Sequence, residues 1–292
     1  MFGNAGCTTD MYLENPLKFG IDAANFGDYS DPSTMSDMAY EAEEAGWDGF
    51  FVFDHILPTD VGMELHDPWV VLAAIAMRTT TMRIGPMVTP VPRRRPWKLA
   101  RETVSLDHLS GGRLTLSVGI GGPSEREFES FGETLDARLR GDMLDEGLQV
   151  LEGLWSGESF SYEGRHYRLK DVEFAPQPVQ SPRIPMWVGA KWRNKKPLRR
   201  AARWDGVFPI PHGVETITPE NLRTVVDYVS EHRESDADFD VVLADHDGSR
   251  SPVSLVAYER AGLTWWVQRI HSPWARSLDE ARALIRQGPP AL

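Results

Sequence analysis

The chain has 292 residues, 41% hydrophobic and 25% charged, with a formal net charge of −12 and a pI of about 5.2. At that charge phosphate repulsion argues against a general nucleic-acid binder, and no apolar run approaches the ~20 residues needed to cross a bilayer. The one cysteine, Cys7, excludes an internal disulfide and points to a reducing, cytoplasmic setting.

The opening segment MFGNAGCTTDMYLENPLK has neither the basic start nor the apolar core of a secretory signal, and residues 1–17 read as an extended arm. No long polar linker divides residues 18–292, which are expected to form one domain. The first strand is predicted over Lys18–Ala24. A helix follows over Ser33–Ala45, where Met35, Met38, Ala39, Ala42 and Ala45 share one face. Gly46 ends it, and the second strand runs over Gly49–Phe53.

Asp67-Pro68 reads as the N-cap and first residue of the next helix. The third strand, Arg83–Thr89, is interrupted by Pro86, and its helix runs to Leu109 before Gly111-Gly112. The fourth strand is Arg113–Gly119, followed by a helix over Arg138–Trp155 with Leu144, Leu148, Leu151 and Trp155 on one stripe. ESFSYEGRHYRL alternates with period two around Glu163-Gly164 and predicts an inserted hairpin. Strands five to eight are placed at Pro185–Gly189, Asp205–Phe208, Asp238–Leu243 and Leu263–Val267. Their helices are placed at Pro197–Arg203, Pro219–Arg233, Ser251–Ala261 and Leu278–Arg286.

Eight strand–helix units predict an α/β fold, a (β/α)8 TIM barrel with insertions. A doubly wound sheet would show a glycine fingerprint after its first strand. NFGDYSDPS, in that place, lacks one.

In a barrel the carboxyl ends of the strands form the active face. FFVFDHI ends the second strand there with Asp54 and His55, two groups that are costly to bury without partners. A capping Asp beside a satisfied His is the ordinary alternative, set aside because other strand ends also carry unusual chemistry. Gly119-Ile120-Gly121-Gly122 lets backbone amides approach an anion. After the fifth strand, GAKWRNKKPLRRAAR holds Lys191, Arg193, Lys195, Lys196, Arg199, Arg200 and Arg203 with no acid, at the start of a predicted helix. A second cationic run, Arg93-Arg94-Arg95, follows the third strand. Only one of Trp265 and Trp266 can face the barrel interior. Asn25, Trp266 and Gln268 are the candidate substrate contacts.

These residues resemble the luciferase-like monooxygenase family of flavin- and F420-dependent oxidoreductases. The most specific segment is Pro96–Gly122, PWKLARETVSLDHLSGGRLTLSVGIGG; AEEAGWDGFFVFDHI, DPWVVLAAIAMRTTTMRIG, MLDEGLQVLEGLWSGESFSYEGRHYRL, PQPVQSPRIPMWVGA and AGLTWWVQ also match. The resemblance implies a (β/α)8 barrel holding coenzyme F420 or FMN in its mouth. It places the ring near Asp54, His55 and Thr89, and the phosphate near Gly119, Ile120, Gly121, Gly122, Gly189, Ala190 and Lys191. The DH ending of the second strand resembles the F420 branch.

Family sugar-phosphate dehydrogenases carry an acid just after the fourth-strand glycines, where this chain has Gly122, so that activity is not expected. Several members have a cis peptide in the third strand, for which Thr89-Pro90 is a candidate. The resemblance also implies a homodimer.

The leading expectation is hydride transfer between F420 and a small-molecule substrate, with no metal. His55 is the candidate proton donor or acceptor, and Asp54 orients it or binds the cofactor. The alternative is an FMN-dependent monooxygenase served by a flavin reductase. Seven cations suit the polyanionic tail of F420 better than the single phosphate of FMN. A binding protein that holds flavin without turnover is a third reading, opposed by Asp54–His55.

Overall fold

The computed structural model describes residues 16–58, 62–122, 124–211, 213, 215–245, 252–270 and 277–291. Most of the expected N-terminal arm, with Cys7, lies outside them. The strands are β1 (Lys18–Ala23), β2 (Gly49–Val52), β3 (Arg83–Pro86), β4 (Thr89–Pro90), β5 (Leu116–Gly119), β6 (Phe160–Glu163), β7 (Arg168–Val172), β8 (Met186–Lys191), β9 (Gly206–Ile210), β10 (Asp240–Ala244) and β11 (Trp265–Arg269). The helices are α1 (Pro32–Glu44), α2 (Pro68–Arg78), α3 (Pro96–Ser110), α4 (Ser124–Glu127), α5 (Ala137–Trp155), α6 (Lys195–Ala201), α7 (Pro219–Ser230), α8 (Pro252–Arg260) and α9 (Leu278–Arg286).

Local chemistry sets the helix ends. Asp31, Asp67 and Asp136 accept first-turn amides, and Thr218/Asn221 and Ser277/Glu280 close reciprocal capping boxes. α3 stops at Gly111, whose φ of 67° a glycine adopts without steric cost.

The strands join in the order β3-β2-β1-β11-β10-β9-β8-β5-β4. β3 and β4 are two pieces of one stave, separated at Met87-Val88, a cis non-proline peptide bond. The cis bond of this stave therefore lies there and not at Thr89-Pro90. β4 pairs with β5 through Thr89↔Val118, and Ile84 of β3 bonds to Arg113 and Thr115 just before β5. That closes the sheet into a (β/α)8 TIM barrel of eight staves among the described residues. β6 and β7 form the inserted antiparallel hairpin.

Alternation divides each stave between two cores. Phe50, Val52, Val188 and Trp266 face outward toward the helices. Phe51, Met87, Trp187, Phe208, Val242, Trp265 and Val267 fill the barrel. Phe51, Trp187 and Trp265 meet with ring centroids 5.2, 5.3 and 5.8 Å apart and plug its lower half. Both indole N–H groups donate to Asp240, at 3.0 and 3.1 Å. A cavity of about 440 Å³ opens at the amino ends of the staves, lined by Lys18, Arg83, Asp240 and Thr264 among others. It lies at the opposite end of the barrel from the predicted site.

Candidate active site

The carboxyl ends of the staves form a mouth above the aromatic plug. Along β2, Phe51 faces inward, and Phe53 and His55 continue in its phase. Asp54 turns the other way, so the structure separates the predicted pair. Asp54 is buried, and the segment after β3 saturates its oxygens. Thr89 Oγ1 donates to it at 2.8 Å, Arg94 Nη2 reaches both oxygens at 2.8 Å, and Arg93 Nη2 donates at 3.0 Å. Asp54 therefore neither orients the imidazole nor has an oxygen left for a ligand, and the Thr89 hydroxyl is spent on the same contact. Both expectations are corrected.

The residue that orients His55 is Glu127, with Oε1 3.0 Å from Nδ1. Glu127 is buried and also accepts from the amides of Ile56 and Leu57 and from Arg93 Nη1 at 2.7 Å. Burial alone would raise its pKa. The hydrogen bond and charge of His55, then Arg93 and the Ile56 amide, outweigh burial and hold the carboxyl below its ordinary value. An ionised Glu127 accepts the Nδ1 proton and so fixes the tautomer by inference. Nε2 makes no hydrogen bond among the described residues, and the half-buried ring packs against both Phe26 and Phe53, at 5.8 and 5.5 Å.

Asn25 is fully buried. Its Nδ2 donates to the carbonyls of His55 and His66 at 2.9 Å, and its Oδ1 accepts from the His55 amide. Its amide is taken up by the loop that carries His55, and the side chain exposes no surface to the mouth. On β11 the expected phase is reversed. Trp265 and Val267 face inward, whereas Trp266 packs on Tyr258 with centroids 5.6 Å apart. Gln268 shares the outward phase of Trp266, is buried, and donates to the Arg269 carbonyl. Neither contacts the mouth; Arg269 is the inward residue at this strand end.

Asp22 escaped the sequence reading. It sits on the inward side of β1, in register with Phe51 and Arg269, and is fully buried. Its Oδ2 accepts from Arg269 Nε at 3.2 Å, while Oδ1 has no partner. Burial raises its pKa to about 7, against the opposing charges of Arg269 and His55. One charge inside the apolar run KFGIDAA was the available signal, since a strand buried on both faces holds an acid at a cost.

Across the mouth, β5 and β8 supply the glycines. Arg140, on α5, donates to the carbonyls of Ile120 and Gly121 at 3.3 Å. Because a peptide's N–H points opposite its C=O, this turns the amides of Gly121 and Gly122 away from Arg140. Gly121 has φ +84°, and a Cβ there would stand 2.6 Å from Phe128 and 2.8 Å from Pro90. Gly122 faces open space. Lys191 shares the inward phase of Trp187 and Gly189, whereas Ala190 is buried toward the helices and offers only backbone.

The cation run is mostly committed. Arg200 and Arg203 pair with Asp145, Lys196 with Asp142, and Arg193 with Glu215. Lys191, Lys195 and Arg199 make no ion pair among the described residues. Seven cations therefore overstate the charge offered to a ligand. Arg93 and Arg94 are likewise tied to Asp54 and Glu127.

The family model described as luciferase-like monooxygenase matches residues 18–246. The chain belongs to that family. Among named relatives, an F420-dependent glucose-6-phosphate dehydrogenase of Microbacterium testaceum is 33% identical over 186 residues, which cover 60% of this chain and 51% of that protein. A counterpart from Nakamurella multipartita is 31% identical over 192 residues, covering 60% and 51%. The chain spans about half the length of these curated relatives. In fold it is similar to the coenzyme F420-dependent tetrahydromethanopterin reductase of Methanopyrus kandleri, with TM-score 0.74 and 18% identity over 94% of this chain and 98% of that one. A monooxygenase from Streptomyces bottropensis is similar at TM-score 0.68 and 21% identity, covering 93% and 97%.

Proposed function

We propose that this chain is an oxidoreductase that uses coenzyme F420 and transfers hydride between it and a small organic substrate in the barrel mouth. The observation that carries this reading is His55, an inward imidazole whose Nδ1 is taken by Glu127 and whose Nε2 is left for substrate. The names of the relatives support F420 over FMN, a choice that the cation count no longer makes.

The residues suit an elongated anionic cofactor. Val88, half-buried, packs between Gly119 and Gly189: Cβ atoms at those glycines would lie 3.3 and 3.5 Å from its methyls. Bare backbone and two aliphatic side chains, Val88 and Ile210, offer a surface there for a flat ring. The amides of Gly121 and Gly122, with Lys191, suit its phosphate. When bound, the deazaflavin supplies the hydride chemistry.

The chain's own groups do the rest. Glu127 keeps His55 in one tautomer, and Nε2 gives a proton to the substrate oxygen or takes one from it, according to the direction of reaction. Phe26 and Phe53 exclude water from one side of the ring. Gly122 brings no carboxyl to the mouth, but Glu127, five residues on, does, so this segment does not decide for or against the glucose 6-phosphate activity in the relatives' names. The small-molecule substrate is bounded only by the mouth. No helix among the described residues is long and apolar enough to cross a membrane.

The test is anaerobic turnover of purified protein with reduced F420 and a panel of aldehydes and ketones, and with oxidised F420 and alcohols. The reading predicts a change in deazaflavin absorbance without dioxygen. Turnover that requires FMN and dioxygen overturns it.

A further inference from the structure

Beneath the mouth lies a carboxyl group that the proposed chemistry has not used. Asp22 is fully buried, faces the barrel interior, and leaves Oδ1 without a hydrogen-bond partner. An orphaned oxygen in a native interior calls for an unseen partner, and water is the ordinary one. Two groups set its surroundings. Arg269 of β11 donates Nε to Oδ2, and the same guanidinium lies 5.8 Å from the ring of Phe53. The ring of Phe53 in turn lies 5.5 Å from that of His55, whose charge acts on Asp22. Asp22, Arg269, Phe53 and His55 thus form one cluster built from three adjacent staves.

We infer that Asp22 is a second proton-holding group of the mouth, one that reloads His55 through a water bound at its orphaned Oδ1. The inference rests on the proton-transfer role given to His55 above. The step is a simple exchange: the Asp22 carboxylic acid loses its proton, neutral His55 gains one at Nε2, and the water between them passes the charge. The carboxylate left behind is met by Arg269, already in contact with Oδ2. In the reverse direction Asp22 accepts the proton that His55 has taken from substrate. Burial pushes the Asp22 carboxyl up to about 7, so it keeps a proton that an ordinary carboxyl would have lost. The groups that face Asp22 in this exchange are Arg269 from β11 and His55 from the end of β2, with Glu127 acting through His55. Asp22 works through His55 and is therefore a positioning residue.

The experiment needs neither cofactor nor substrate. The His55 ring is followed by NMR across pH in the free protein, with H55Q identifying its signal. The inference predicts two steps in the wild-type curve, one for each group of a coupled pair. In Asp22→Asn one step vanishes and the His55 midpoint falls by about half a unit or more, because a neighbouring carboxylate that favours imidazolium has gone. Arg269→Gln supplies an independent check, since losing the cation moves the Asp22 step upward. Superimposable His55 curves in wild type, D22N and R269Q overturn the inference. Because F420 is absent, this outcome is separate from any failure of F420 to bind or turn over. In the loaded enzyme the same D22N change removes one limb of the pH–rate profile, and an unaltered profile also counts against the role.

Discussion

The imidazole of His55 and the carboxylate of Glu127 meet at 3.0 Å across 72 positions of sequence, on the rim between β2 and the segment after β5. Glu127 adds the Ile56 amide and Arg93, so one buried acid fixes the ring, the loop that carries it and the arginine behind it. Replacing it with Gln keeps the shape and removes the charge. Glu127→Gln is expected to lower kcat about 10- to 100-fold, the usual cost of losing a group that orients a working imidazole. F420 affinity should change little. Steady-state kinetics beside a fluorescence binding curve check both parts, and unchanged kcat removes Glu127 from the mechanism.

Asp54 makes a different prediction. Its buried carboxylate accepts from two guanidinium groups and a hydroxyl, and Ala would leave Arg93 and Arg94 without their shared counter-charge. Breaking such a pair from one side costs about 3–5 kcal/mol. Asp54→Ala should lower the unfolding free energy from urea denaturation by that amount, whereas loss of cofactor binding at full stability would return Asp54 to the site.

The glycine turn separates geometry from chemistry. Gly121→Ala forces a Cβ onto Phe128 and Pro90 at a positive φ, whereas Gly122→Ala points one into open space. The first should destabilise by about 1–3 kcal/mol and weaken cofactor binding. The second should alter stability by less than about 0.5 kcal/mol. Thermal melts of the two variants, run together, decide it.

Asp22 ties stability to pH. Its folded pKa, about 7, stands above its ordinary 3.8. The folded state therefore holds the extra proton between those values, and stability falls as pH rises through them. About three units correspond to an upper limit on the order of 4 kcal/mol. Asp22→Asn, which cannot ionise, should match wild type near pH 4 and surpass it at pH 8. A stability difference that is flat across this range refutes the buried-charge account.

Much of the fold was legible because strands such as Gly49–Val52 are buried on both faces and the helices carry clear caps. The boundaries of the later strands were less so: β11 runs two residues further than its apolar run suggests, since Gln268 and Arg269 are polar. With a period of two, choosing Trp266 and Gln268 over Trp265 and Arg269 turned both candidate contacts to the helix side. His55 could be found because it extends an inward phase. Its partner could not, because Glu127 comes from a segment 72 residues away and no local pattern marks that meeting. The basic run around α6 misled for the same reason, as Asp142 and Asp145 on α5 are invisible to a local charge count.

The most direct test is side-by-side binding of F420 and FMN to the purified protein, read by fluorescence, in wild type and Lys191→Ala. The account predicts tight F420 binding and much weaker FMN binding, with the F420 affinity falling about tenfold or more when a charge-assisted contact is lost. Tight FMN binding with no F420 signal contradicts it.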